Sequence, residues 1–175
     1  MHRSGIVVAG LLLAGALTTG EAWAQAGSAS GSLVNAKGDE VGTVELTQMA
    51  KGVRIQAEAE GVPTGTHAFH IHETGDCQTP DFQSAGGHYN PADHQHGWNN
   101  PEGPHAGDLP NVHIADDGVL AIEYFTDAVT LGEGETTLFD DDGSALVLHE
   151  GEDDYESDPT GDAGGRIACA VIEAQ

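Results

Sequence analysis

Val53-Arg54-Ile55-Gln56-Ala57-Glu58-Ala59-Glu60 alternates apolar and polar side chains without a break. Successive side chains of an extended chain point to opposite faces, so this octapeptide buries one face and wets the other. It predicts a β-strand with Val53, Ile55, Ala57 and Ala59 in the core. Upstream, Val44 and Leu46 alternate with Thr43, Glu45 and Thr47 in the same way. Downstream, 111–115 and 119–125 flank Asp116-Asp117-Gly118, which reads as a hairpin turn. Further strand signals lie near 28–34, 66–73, 145–149 and 166–173, for about eight strands in all. No segment carries a convincing helical period, glycine is abundant and aromatics are few. The class is all-β, a sandwich or flattened barrel.

Two stretches do not read as strands. Residues 74–110 are rich in Gly, Pro, Asn, Asp and His, and residues 150–165 are acidic and glycine-rich. Loops this long in a compact domain usually carry function. At the other end, Arg3 precedes an uncharged apolar run from Ile6 to Leu17, and Ala22-Trp23-Ala24 has the small-x-small pattern of a cleavage site. The run is shorter than the roughly 20 residues a membrane span needs. Residues 1–24 are therefore expected to be a cleaved signal peptide, and 25–175 a single exported domain, periplasmic or extracellular.

The chain carries 29 acidic and 5 basic residues, a formal charge of −24. Arg3 and Glu21 leave together with the leader, so the balance survives cleavage. Such a surface argues against nucleic acid and anionic membranes as partners. Arg166 is the only fixed cation after Arg54. Cys77 and Cys169 stand 92 positions apart. In an exported protein such a pair most simply forms one disulfide, with two buried thiols as the alternative.

The loops and strand ends carry a set of metal-binding side chains. His70-Ile71-His72 ends a predicted strand, where residues i and i+2 share a face and both imidazoles can reach one ion. His88, His96, His105 and Asp108 come from a single loop at separations of 8, 9 and 3. Three nitrogens and one oxygen suit zinc in a closed site. His149 follows the apolar Leu146-Val147-Leu148 and can complete the His70–His72 pair. With His88 as a fourth nitrogen, this set has the all-nitrogen character that Cu(II) prefers. Six histidines and one aspartate exceed what one four-coordinate ion requires, so the chain predicts a two-metal centre. His67 falls on the opposite strand face and reads as a structural hydrogen-bonding residue, while His94 and His113 read as surface or packing residues.

Together His70-Ile71-His72, Gly75-Asp76-Cys77, Ser84-Ala85-Gly86-Gly87-His88-Tyr89-Asn90-Pro91, His96-Gly97, His105-Ala106-Gly107-Asp108, Leu148-His149-Glu150 and the run from Gly161 to Cys169 resemble copper–zinc superoxide dismutase. The resemblance extends from about residue 28 to 173, and Pro80-Asp81-Phe82 is similar to the bacterial exported branch. It implies an eight-stranded Greek-key β-sandwich or flattened barrel. It implies a copper ion on His70, His72, His88 and His149, and a zinc ion on His88, His96, His105 and Asp108, with His88 shared. It implies Asp153 as an outer partner linking a copper histidine to a zinc histidine, a Cys77–Cys169 disulfide, and Arg166 as the group that docks the superoxide anion. His88 and Arg166 are the expected catalytic residues. Ala68 stands where the family usually has glycine, and Pro159 where animal enzymes have a guiding lysine; the loop from Asp153 to Arg166 is also shorter than theirs.

The expected reaction is dismutation of superoxide to dioxygen and hydrogen peroxide. A non-catalytic metal buffer would need the ligands but not Arg166. A zinc-stabilised structural domain would not need His70, His72 and His149 as well. A homodimer is the expected assembly, with a monomer the alternative, and Trp98 is either an interface or a packing residue. The charge of −24 repels an anionic substrate at long range.

Overall fold

The computed structural model describes residues 27–175, so the signal peptide expected over 1–24 lies outside the described residues. Ten strands run β1 (Ser28–Asn35), β2 (Glu40–Gln48), β3 (Val53–Glu60), β4 (Gly65–His67), β5 (Phe69–His72), β6 (Val112–Ile114), β7 (Val119–Thr126), β8 (Ala145–His149), β9 (Arg166–Val171) and β10 (Glu173–Ala174). The one helical element among the described residues is a 3₁₀ turn at Gln83–Ala85. No helix among them is long and apolar enough to cross a membrane.

Eight strands form one sheet in the order β5-β8-β9-β1-β2-β3-β7, with β10 also on β1, while β4 and β6 pair separately. Every strand pairing is antiparallel. β4 continues into β5 through Ala68, and β6 leads into β7, so the sheet curls round as a flattened barrel. The chain leaves β3, builds β4 to β6 on the far side, and returns to lay β7 against β3, the long connection of a Greek key.

The alternation that predicts β3 is realised in full. Val53, Ile55, Ala57 and Ala59 are buried, as are Val44 and Leu46 on β2. Leu33, Ile71, Leu120, Leu146 and Leu148 complete the barrel interior. Three features differ from the sequence reading. The turn at Asp116-Asp117-Gly118 exists, with the Gly118 N–H on the Ala115 carbonyl at 2.9 Å. The strands it joins do not pair with each other, however. β6 pairs β4 and β7 pairs β3, so the turn is a corner between sheet edges and not a hairpin.

The predicted strand near 66–73 is interrupted at Ala68, whose N–H goes to the Gly151 carbonyl at 2.8 Å. That residue is fully buried, so the methyl in place of the family's glycine is accommodated. A third loop, 127–144, carries no alternation that would announce it. It caps the barrel by burying Val129, Leu131 and Leu138, and the Gln48 side-chain oxygen accepts the Leu131 N–H at 2.7 Å.

Candidate metal centre

The outer wall of the barrel supplies the first ligand set. On β5, Ile71 faces the core, leaving His70 and His72 on the other face. β8 lies beside it with His70 opposite Val147 and His72 opposite Ala145, so Ala145, Val147 and His149 share that outer face. A register shift between Leu148 and His149 places His149 opposite Arg166 on β9. Bulges of this kind re-aim a side chain beside a site.

The long loop then docks on the free edge of β5. The Tyr89 N–H bonds the Ile71 carbonyl at 2.8 Å, the Ile71 N–H bonds the Gly107 carbonyl at 3.0 Å, and the Gly107 N–H bonds the Tyr89 carbonyl at 2.8 Å. His88 is thereby bridged to His72, and Asp108 to His70. A side chain at position 107 would collide with the Ile71 carbonyl oxygen, so this approach requires glycine.

Two groups result, His70–His72–His88–His149 and His88–His96–His105–Asp108. Within each, one ligand atom per residue lies within 4.8 Å of the others, and all seven side chains are buried. Asp108 Oδ1 faces His88 Nδ1 at 2.9 Å, His96 Nδ1 at 3.0 Å and His105 Nδ1 at 3.2 Å. In the other group, His72 Nε2 and His149 Nε2 stand 3.3 Å apart. His88 belongs to both: its Nδ1 is on the Asp108 side, and its Nε2 is buried with no hydrogen-bond partner. His70 Nδ1 is likewise unpartnered.

Buried polar atoms are normally satisfied. A convergent set of buried nitrogens without protein partners is what a bound cation would satisfy. The donor sets are also chemically apt, four nitrogens for copper and three nitrogens with one carboxylate for zinc.

Asp153 sits between the groups. Its Oδ2 meets His70 Nε2 at 2.8 Å and its Oδ1 meets His96 Nε2 at 2.9 Å. This commits the outer nitrogen of each ring and leaves Nδ1 of each for an ion. Gly161 keeps the space open, since a Cβ there would collide with Asp153 Oδ1. Asn111, which nothing in the sequence marks, holds the Asp153 backbone. Its side-chain amide donates to the Asp153 carbonyl at 2.9 Å and its Oδ1 accepts the Asp153 N–H at 2.8 Å. A lone asparagine before a short strand carries no signal of that contact.

The electrostatics divide the two groups. Burial pulls His88 down to about 4, against the pull of Asp108. Burial, reinforced by His70 and His88, pulls His149 down to about 3, and burial puts His72 well below the ordinary imidazole range. These rings are neutral, as ligands must be. His96 moves the other way: burial opposes it, but hydrogen bonds to Asp108 and Asp153 push it up to about 9. Asp108 and Asp153 are held below the usual carboxylate range, because their histidine partners outweigh the burial that would raise them.

Held between Asp108 and Asp153, His96 is expected to keep a proton in the metal-free chain at neutral pH. Zinc binding at about pH 7.5 is expected to expel roughly one proton per ion. Calorimetry in buffers of different ionisation enthalpy reads that number directly. A proton count of zero would contradict the assignment.

Arg166 is half-buried at the rim. Its Nη1 donates to the Phe82 carbonyl and its Nη2 to the Gly86 carbonyl, each at 2.6 Å. The Gly86 carbonyl also accepts from His72 Nδ1 at 3.0 Å, so one peptide holds both a ligand ring and the guanidinium. Burial lowers Arg166 from its ordinary value, opposed by Asp81 and Glu73. Cys77 and Cys169 form a disulfide with Cα atoms 5.8 Å apart, tying the long loop to β9.

His67 bonds the His149 carbonyl at 2.9 Å and the Pro63 carbonyl at 3.1 Å, in the structural role expected of it. His94 and His113 are exposed. Trp98 is 60% exposed among the described residues.

Residues 40–172 match the family described as "Copper/zinc superoxide dismutase (SODC)". The chain is 51% identical over 143 residues to "Superoxide dismutase [Cu-Zn] 1" of Aquifex aeolicus, covering 81% of this chain and 85% of that protein. It is 46% identical over 171 residues to "Superoxide dismutase [Cu-Zn] 2" of the same organism, covering 97% of each. Among solved structures, a double mutant of a SOD-like protein from Bacillus subtilis superposes with a TM-score of 0.80 at 41% identity, over 83% of this chain and 97% of that one.

Proposed function

The chain belongs to the copper/zinc superoxide dismutase family, and from that membership we infer that it dismutates superoxide to dioxygen and hydrogen peroxide. His70, His72, His88 and His149 would hold copper, and His88, His96, His105 and Asp108 would hold zinc. Copper, when bound, supplies a one-electron couple that takes an electron from one superoxide and gives it to a second.

The protein's own residues supply the rest. His88 is committed at Nδ1 to the Asp108 side and is unpartnered at Nε2. It therefore holds or hands over a proton at Nε2 alone, on the side that faces the first group. Two protons are consumed for each hydrogen peroxide formed, so a proton carrier at that atom is useful. Asp153 orients His70 and His96 through their outer nitrogens.

Arg166 docks the anion. Guanidinium carries five N–H donors, and two of its nitrogens are already fixed on the Phe82 and Gly86 carbonyls. The remaining donors are presented in a fixed plane beside His72 and opposite His149. The observation that carries the reading is His88, one imidazole common to both ligand groups. A metal buffer would need both groups and would have no use for the anchored arginine.

The test is dismutation by the metal-loaded chain and by Arg166→Ala, with metal content measured on both. We expect kcat/KM to fall about tenfold in Arg166→Ala, at unchanged metal content. Equal activity would remove the arginine from the mechanism. In wild type, the formal charge of −24 should make the rate hold or rise between about 10 mM and 0.1 M salt. A steep fall would show that a local positive funnel dominates.

The leader pattern read in the sequence over 1–24 and the disulfide support export of a domain spanning 25–175 to the periplasm or beyond, since such a bridge persists in oxidising compartments. Exposed Trp98, beside Asn99, Pro110 and Tyr155 at a shallow apolar depression, supports a homodimer. Sedimentation equilibrium reads that directly, and a monomer at micromolar concentration would overturn it.

A further inference from the structure

The backbone at Phe82 is strained. Its φ of 54° and ψ of 24° lie in the left-handed region, where a bulky side chain is out of place. Glycine would take that conformation with less strain. The chain instead keeps an aromatic ring there, fully buried against Ala85, Ala145, Val147 and Cys169, with Val34 and Cys77 at the rim of the pocket. Strain of this kind persists only where the surroundings over-determine it.

The left-handed peptide has one distinctive consequence. The Phe82 carbonyl accepts Arg166 Nη1 at 2.6 Å while also accepting the Ala85 N–H at 3.1 Å. The Phe82 N–H is spent on the Gln78 carbonyl at 3.0 Å. Returning Phe82 to a right-handed conformation would rotate its peptide plane and carry the carbonyl off the guanidinium. Gly86, at the other end of the 3₁₀ turn, holds Nη2.

We propose that Phe82 is a positioning residue for Arg166: its buried ring locks the left-handed backbone that aims the Phe82 carbonyl at the guanidinium. The claim rests on Arg166 docking the substrate anion. Phe82 itself bonds none of the seven ligands of the two metal groups, so its effect on the rate should require the arginine.

The test uses Phe82→Gly, which permits the backbone conformation and removes the lock, and Phe82→Leu, which keeps the pocket largely filled. Both are made in wild type and in Arg166→Ala. The first readout is the Nε–Hε resonance of Arg166 in the reduced, diamagnetic, metal-loaded protein. Only Arg3 and Arg54 share its residue type, so assignment is direct. Phe82→Gly should broaden that resonance and speed its exchange with water. It should lower kcat/KM on the order of fivefold, at unchanged metal content. Phe82→Leu should give a smaller change of the same sign, and it carries the test alone if the glycine variant does not fold.

In the Arg166→Ala background neither substitution should lower the rate further. An unchanged resonance in the variants, or the same loss of rate with and without the arginine, overturns the proposal. If Arg166→Ala alone is fully active, the docking role fails. The resonance still reports separately whether Phe82 holds the guanidinium.

Discussion

His88→Ala is expected to lower dismutation by at least about a hundredfold and to weaken both metals at once, since even outer partners of a metal site are worth 10–100-fold. The argument is geometric. Of the seven ligands only His88 is common to both groups. Its removal leaves three histidines on the wall formed by β5 and β8, and two histidines with Asp108 in the loop. It also deletes the unpartnered Nε2 to which we assign the proton.

Other ligand substitutions should be one-sided. His72→Ala reaches only the first group, and Asp108→Asn only the second. Separate copper and zinc affinities, measured by competition with a chelator, check the pattern. Loss of one metal with the other at wild-type affinity in His88→Ala would contradict the shared ring.

The second large effect is on stability. Replacing both Cys77 and Cys169 with serine should cost about 4–5 kcal/mol, because the bridge closes a sequence separation of 92 in the unfolded chain. For a domain of this size 1 kcal/mol shifts Tm by roughly 2–4 °C, so the midpoint should fall by roughly 8–20 °C. Scanning calorimetry of the metal-free chain reads it without interference from ligand binding. A shift of only about a degree or two would mean that core burial around Phe82 and Val147 holds the loop on β9 unaided. The same pocket carries the carbonyl that grips Arg166, so a loss of arginine order should accompany the loss of stability.

What the sequence conveyed depended on how local each interaction is. β2 and β3 are legible because alternation is a property of adjacent residues: Val44, Leu46, Val53 and Ile55 declare their inward face without any partner. The metal ligands are legible because imidazoles and a carboxylate at fixed separations have few other reasons to gather. The corner at Asp116-Asp117-Gly118 misleads for the same reason. Turn chemistry is local, but the choice of partner for β6 and β7 is made by β4 and β3, far away in the chain.

The loop 127–144 is illegible because its buried Val129, Leu131 and Leu138 are too scattered for either period. Its closure instead relies on Gln48, roughly eighty residues upstream. The roles of Asn111 and Phe82 are missed because they lie in backbone contacts. An asparagine amide on the Asp153 peptide, and a carbonyl turned toward Arg166, leave no mark on residue type or spacing.

The central claim is that one imidazole serves two ions. A crystal structure of the metal-loaded chain, with anomalous data collected at the copper and zinc edges, tests it most directly. The account predicts two distinct ions, copper among His70, His72 and His149 and zinc among His96, His105 and Asp108, with His88 ligating one through Nε2 and the other through Nδ1. Two fully occupied ions with His88 ligating only one of them, or a single ion taking both ligand sets, would contradict it.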